Sequence, residues 1–277
     1  MPEGPEVRTV VDSLRKNVLG KRLEFAHRSV FNLRRPLLEE ELHRLRGLTF
    51  KEVSTLGKFF WFSFDHPDLF LGFRLGMSGM LLLEPSNVEP QKHTHVTLRF
   101  EGDRQELRYV DPRRFGEVFL LSRAGLIKER ARLGFDGLSP EDEKLALVFE
   151  RVRKSGRSLK DLLLDQTLFA GVGNIYACEA LFYASLHPLR LGLSLSALEC
   201  ERLLSAVMAV LHQALSHRGT TFRDFRDGYG QKGEAKSQLG VFQREGLPCP
   251  QCGRPVERMV QAGRSTFLCS TCQPLLA

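Results

Sequence analysis

Apolar positions change their period along the chain, and the changes mark out its elements. Val7, Val10, Val11, Leu14 and Val18 recur at helical spacing, and Gly20 stops the run, which predicts a helix over residues 5–19. From 21 to 121 the pattern turns strand-like. Aromatic and β-branched runs such as Phe59-Phe-Trp-Phe-Ser-Phe64, Val96-Thr-Leu-Arg-Phe100 and Gly116-Glu-Val-Phe-Leu120 are broken by Gly, Pro and Asp, with one short helix around Glu39 to Arg46. Many short strands separated by turn residues predict an antiparallel sandwich or barrel. After Gly137-Leu-Ser-Pro140 the period becomes helical. Ser139 is a candidate cap for a helix whose first turn carries Glu141, Asp142 and Glu143, and further helical patterns cover about 158–164, 174–184 and 196–217. Residues 218–236 are rich in Gly, Arg and Asp and read as a mobile loop.

The expected organisation is therefore α+β and multidomain: residues 1–135 a β-sandwich led by a helix, 136–235 a helical domain, and 236–277 a small cysteine-bearing module. The 277 residues suffice for two modest cores. No apolar run reaches membrane-spanning length, since Asp65, His66, Pro67 and Asp68 interrupt the most apolar stretch, and no charged-then-apolar leader opens the chain. A soluble cytoplasmic monomer is the expectation.

Charge narrows the partners. The formal net charge is +7, but residues 1–150 contribute +1 and residues 151–277 contribute +6. A basic second half suits a polyanion, and equally an ordinary solvated surface. The cysteines say more. Cys249-Pro-Gln-Cys252 and Cys269-Ser-Thr-Cys272 enclose sixteen residues. Each pair places two thiolates on one tight turn, and two such turns complete a closed tetrahedral zinc site, structural rather than catalytic. A redox dithiol or disulfides are the competing readings, weakened by the absence of a secretory signal. Between the pairs, two short strands flank Ala262-Gly-Arg264, so Arg264 is expected at or near a hairpin tip, where a rigidly held cation can meet a phosphate. Alone, it reads as a surface arginine.

The chain opens Met1-Pro2-Glu3-Gly4-Pro5-Glu6. Methionine before proline is usually trimmed, which would expose the Pro2 amine. An α-amine has a pKa of about 7.7–8.0, against about 10.4 for lysine, and is far more nucleophilic near neutrality. A secondary amine attacking a sugar C1′ yields a fixed iminium cation, an electron sink for phosphate elimination. Glu3 and Glu6 then stand ready for proton transfer and charge stabilisation. The same residues also describe a common helix opening.

Taken together, these segments resemble the formamidopyrimidine-DNA glycosylase and endonuclease VIII family over essentially the whole chain. The matches run from Pro2-Glu-Gly-Pro-Glu6 through Gly57-Lys58, Leu75-Gly-Met77-Ser-Gly79, Lys92-His-Thr-His95, Asp111-Pro-Arg-Arg-Phe-Gly116 and Gly171-Val-Gly-Asn174-Ile-Tyr-Ala177 to the cysteine pairs. The resemblance implies a β-sandwich with a leading catalytic helix, a helix–two-turn–helix domain and a zinc finger, with damaged duplex DNA in the cleft between the two domains. It implies a bifunctional base-excision glycosylase and AP lyase with one structural zinc. Pro2 would be the Schiff-base nucleophile, Glu3 the proton donor and Glu6 its support. Lys58 and Arg264 would grip phosphate and assist elimination, and Asn174 would meet phosphate beside a helix start. Met77, Arg113 and Phe115 would fill the void left by the extruded base. His93 and Lys154 would contact DNA, whereas His95 is equally suited to a strand-end hydrogen bond.

The lesion class divides the motifs. Met77, Asp111-Pro-Arg-Arg-Phe-Gly116, the Arg218-Gly-Thr-Thr221 loop and the following Gly240-Val-Phe-Gln-Arg244 resemble the branch that removes 8-oxoguanine and formamidopyrimidines by β- and δ-elimination. Gly4 resembles the endonuclease VIII branch, which takes oxidised pyrimidines, and Arg74 replaces a usual histidine. The oxidised-purine reading is favoured. A pyrimidine or broad-lesion enzyme is the alternative, and a silent lesion binder a third reading that Pro2, Glu3, Lys58 and Arg264 together oppose.

Overall fold

The computed structural model describes residues 1–275, which divide into two compact units, Met1–Ala131 with His217–Glu234 and Arg132–Ser216 with the C-terminal segment from Ala235. In the first unit, helix α1 (Gly4–Val18) has Pro5 in its first turn and buries Val7, Val10, Val11, Leu14 and Val18. Two four-stranded antiparallel sheets follow. One orders β1 (Leu23–Arg28), β6 (Thr94–Phe100), β7 (Gln105–Val110) and β5 (Met80–Pro85). The other orders β2 (Phe50–Leu56), β3 (Phe59–Phe64), β4 (His66–Arg74) and β8 (Glu117–Leu121). Their inner faces and α1 share one core. Phe50 of β2 lies 5.6 Å from Phe100 of β6, and Phe73 of β4 lies 6.1 Å from Tyr109 of β7. The expected sandwich is present, with interdigitated aromatic rings between its sheets.

One helix lies beyond the sequence reading, and one local expectation needs correction. Besides the short helix α2 (Glu39–His43), the first unit contains α3 (Arg123–Ala131), whose pattern hides it: only Leu126 is buried. Ser139 does not cap the next helix. Glu141 occupies that position, without a side-chain cap, before α4 (Asp142–Arg153), and the Ser139 N–H instead donates to Asp136 O at 3.1 Å.

Residues 217–234 fold onto the first unit. Thr220, Phe225 and Asp227 are buried. Asp227 Oδ1 accepts from the Tyr229 and Gln231 N–H groups, and Arg218 pairs with the same carboxylate. The Leu83 N–H donates to Gly228 O at 2.8 Å, tying the segment to β5.

The second unit joins α5 (Leu159–Leu164), α6 (Asn174–Tyr183) and the long α7 (Ala197–Ser216) with the hairpin of β11 (Glu257–Gln261) and β12 (Arg264–Leu268). Its short parallel strand pair is β9 (Phe135–Asp136) and β10 (Phe169–Ala170). Among the described residues no helix is long and apolar enough to cross a membrane.

Candidate functional site

In the first unit, Pro2, Val7, Lys58, Arg74, Leu75 and Phe115 help line a cavity of about 170 Å³. Pro2 is buried and Met1 exposed. Lys58 reaches this cavity because Gly57-Lys58 form the two-residue tip of the β2–β3 hairpin, where Leu56 pairs with Phe59. Gly57 has φ +60°, as a type II′ turn requires at its first central position. Glu3, at the N-cap of α1, and Glu6, in its first turn, are both buried. Glu6 Oε2 accepts from the Glu3 N–H at 2.8 Å, and its Oε1 accepts from the Thr220 N–H at 2.7 Å. Glu6 therefore holds both the helix start and the 217–234 segment, a fixed anchor under Pro2 and Glu3.

Arg74 donates to Glu117 at 2.9 Å and to Glu129 at 2.7 Å, with its guanidinium 5.0 Å and 5.3 Å from the Phe59 and Phe119 ring centres. Two carboxylates and two rings thus fix the Arg74 guanidinium.

Met77, Arg113 and Phe115 project into solvent from two neighbouring loops, with Arg113 stacked 4.8 Å over the Phe115 ring. Exposed large apolar side chains on loops are poor core residues and suit insertion into a base stack. His93 is exposed beside them, and its carbonyl accepts from the Asp111 N–H at 3.0 Å. His95 is buried instead. Its Nε2–H donates to Asp111 O at 3.1 Å, and its Nδ1 lies 3.0 Å from the Ser29 hydroxyl, an arrangement in which a neutral ring accepts the hydroxyl proton.

Burial, the largest influence, pushes the His95 pKa below its ordinary 6.5, against the bond to Asp111 O and the Asp111 charge. A group harder to protonate when folded contributes stability that is complete above the unfolded pKa and is lost as pH falls. Denaturant midpoints of the wild type are therefore expected to fall between about pH 7.5 and about pH 5.5. His95→Gln should flatten that fall, and an identical profile in the variant would assign the loss to another group.

In the second unit, α5 and α6 are joined by residues 165–173. Gln166 braces the turn: its Nε2 donates to Val172 O at 2.8 Å, and its Oε1 accepts from the Gly171 N–H at 3.1 Å. Gly171 has φ +91°, a conformation open to glycine. Asn174 then opens α6, a helix start that favours an anion. The Asn174 Nδ2 donates to Ser265 O at 2.9 Å.

Lys160 converges on the same strand, donating to Ser265 O at 3.1 Å and to Thr266 Oγ1 at 2.5 Å. It is buried, and desolvation lowers its pKa. The sequence points to Lys154, which lies exposed at the end of α4 and pairs with Glu150 at 2.8 Å. Among the apolar neighbours Leu159, Leu162 and Leu163, Lys160 carries no sequence signal of its own. Nor does Glu179, set in the apolar run of α6. Its buried carboxylate accepts from the N–H groups of Gly240, Val241 and Phe242 at 2.7–3.0 Å, fixing to α6 the segment that leads into the zinc module.

Arg264 is exposed as the first residue of β12, paired with Gln261 across a turn in which Ala262 and Gly263 both have positive φ. It borders a depression of about 460 Å³ shared with Arg157, Asp161 and Asp165. The sulfurs of Cys249, Cys252, Cys269 and Cys272 lie within 4.8 Å of one another. Cys249 and Cys272 are separated by 3.8 Å, and Cys252 and Cys269 by 3.5 Å. Four thiolates about 2.3 Å from a tetrahedral zinc stand about 3.8 Å apart, so the cluster fits one structural zinc ion, which holds the hairpin together and leaves no position for substrate.

Comparison with known proteins agrees with this geometry. The family model for the formamidopyrimidine-DNA glycosylase N-terminal domain matches residues 1–118, that for its H2TH domain 133–226, and that for a zinc finger found in Fpg and IleRS 246–275. The formamidopyrimidine-DNA glycosylase of Thermus thermophilus is 43% identical, covering 99% of this chain and 98% of its own. That of Desulforamulus reducens is 39% identical, covering 99% of both. The crystal structure of the Thermus thermophilus MutM (Fpg) protein superposes with a TM-score of 0.85 at 42% identity, covering 98% of each chain. Lactococcus lactis Fpg bound to DNA containing N7-benzyl-Fapy-dG superposes at 0.89 with 30% identity, covering 99% of this chain and 100% of that one. With three matched domains in order, relatives aligned end to end and a four-thiolate cluster where the zinc finger falls, the chain belongs to the formamidopyrimidine-DNA glycosylase family.

Proposed function

We propose that this protein excises oxidised purines, 8-oxoguanine and formamidopyrimidines, from duplex DNA, with Pro2 as its nucleophile. As a member of its family it is a base-excision-repair DNA glycosylase with AP-lyase activity. The observation that carries the residue assignment is the placement of Pro2 and Lys58 on one cavity, with Glu3 and Glu6 at the helix start beside it. We assign it monomeric action on duplex DNA, without membrane attachment.

Once Met1 is removed, the Pro2 nitrogen bonds to C1′ as the bond from C1′ to the damaged base breaks and the sugar ring opens. The amine's own proton and one from Glu3 go to the departing base and the opened ring oxygen. The resulting iminium withdraws electrons, so loss of the C2′ proton expels the 3′ phosphate. Loss of a further sugar proton expels the 5′ phosphate, and water then hydrolyses the iminium to free Pro2. Lys58 and Arg264 bind the phosphates, and the α6 start beside Asn174 faces another. His93 and Lys154 add contacts to DNA. The zinc keeps the Arg264 hairpin rigid and takes no part in bond making.

The purine reading is supported by Met77 with the Asp111-Pro-Arg-Arg-Phe-Gly116 loop and by the names of the relatives. Gly4 favours a second reading, oxidised pyrimidines, and Lactococcus lactis Fpg has been crystallised with DNA containing an oxidised pyrimidine. Borohydride trapping and excision on duplexes that each hold one lesion separate the two. A protein that binds them all and traps none would be a lesion reader and not an enzyme.

Arg113→Ala is expected to narrow discrimination among bases opposite the lesion by about tenfold, because contacts to a widowed base carry sequence information and phosphate contacts do not. Overall affinity for duplex should change little. Equal losses in excision with all four opposite bases would remove Arg113 from the wedge.

A further inference from the structure

Asp111 is fully buried at the end of β7, where the chain turns into the loop bearing Arg113 and Phe115. Its Oδ1 accepts from the Ser78 hydroxyl at 2.6 Å and from the Arg113 N–H at 3.2 Å. Its Oδ2 accepts from the Gly116 N–H at 2.8 Å and lies 3.4 Å from the Tyr109 hydroxyl, which is also 3.4 Å from Leu75 O. One carboxylate therefore reaches Ser78, next to Met77 on one loop, and Arg113 and Gly116, which bracket Phe115 on the other.

The packing leaves no slack around it. A methyl group at Gly116 would fall 1.7 Å from the Tyr109 hydroxyl, and one at Gly79 would fall 2.4 Å from the same oxygen. Met77 and Phe115 remain 40% and 47% exposed above this network. Exposed side chains on independent loops would lose conformational freedom when they entered a base stack, and that cost would fall on binding. A buried acceptor saturated by hydroxyl and N–H donors from both loops removes much of that freedom beforehand.

We propose that Asp111 is a positioning residue: it joins the Met77 loop and the Arg113–Phe115 loop into one wedge and so sets how sharply the base opposite the lesion is discriminated. The inference rests on the wedge role given above to Met77, Arg113 and Phe115. In it, Ser78 is the bridge between the loops, because its hydroxyl donates to Asp111 while lying 3.3 Å from the Arg113 N–H.

The test is single-turnover excision of 8-oxoguanine opposite each of the four bases, for Asp111→Asn and for the milder Ser78→Ala. Borohydride trapping on a preformed abasic site, where no base has to be extruded, is measured alongside. Asp111→Asn is expected to compress the ratio between the best and worst opposite bases by about tenfold, and Ser78→Ala to compress it less in the same direction. Trapping per folded molecule should stay at the wild-type level. If Asp111→Asn does not fold, Ser78→Ala decides. Excision and trapping that fall together with the ratio intact, or a ratio unchanged in both variants, overturn the proposal. The Arg113→Ala control separates the two failures. If it compresses the ratio and the other variants do not, only the positioning role is lost. If it leaves the ratio intact, the wedge reading fails and takes this inference with it.

Discussion

Pro2→Gly, or a form that keeps Met1, is expected to lose base excision by more than about a thousandfold while still binding lesion duplex. A retained methionine turns the Pro2 nitrogen into an amide, whose lone pair is delocalised and unavailable to C1′. Glycine restores an amine but loses the ring that fixes the backbone, and it yields an imine that must be protonated before it can act as an electron sink. In the proposed assignment the grip on DNA falls to Lys58 and Arg264, which the substitution leaves in place. Single-turnover cutting and gel-shift binding on the same duplex measure the two effects separately. Undiminished cutting by either form would remove Pro2 from the chemistry.

The second large effect concerns the zinc. Cys269→Ala is expected to release the metal and to weaken DNA binding by at least about tenfold, with the sandwich intact. Cys269 directly follows β12, the strand that Lys160 and Asn174 hold through Ser265 and Thr266. Structural zinc supplies about 10–16 kcal/mol in small fingers, and that binding energy is folding energy. Without it the hairpin that presents Arg264 loses its fixed base, and a tethered cation becomes a mobile one. Metal analysis and duplex titration test the two halves. A wild-type protein that contains no zinc would end the claim.

Much of this molecule is legible in its sequence because the signals are local. The five apolar positions of α1, the alternating runs of the sandwich and the paired Cys-x-x-Cys motifs each depend on residues close in sequence. The motif at 171–174 is legible for the same reason. The helix α3 is not, since one buried leucine in nine residues leaves no amphipathic stripe.

The order of elements, the zinc ligands and the chemistry available to Pro2 follow from residue types and spacings, which act over a turn or two of chain. Tertiary structure alone decided which polar groups lost their water. Asp111, Lys160 and Glu179 are ordinary charged residues in the sequence, yet each is buried against partners that are distant in the chain or set by a loop's path. Folding determines which donors and acceptors meet across such separations, and a buried charge persists only where they do.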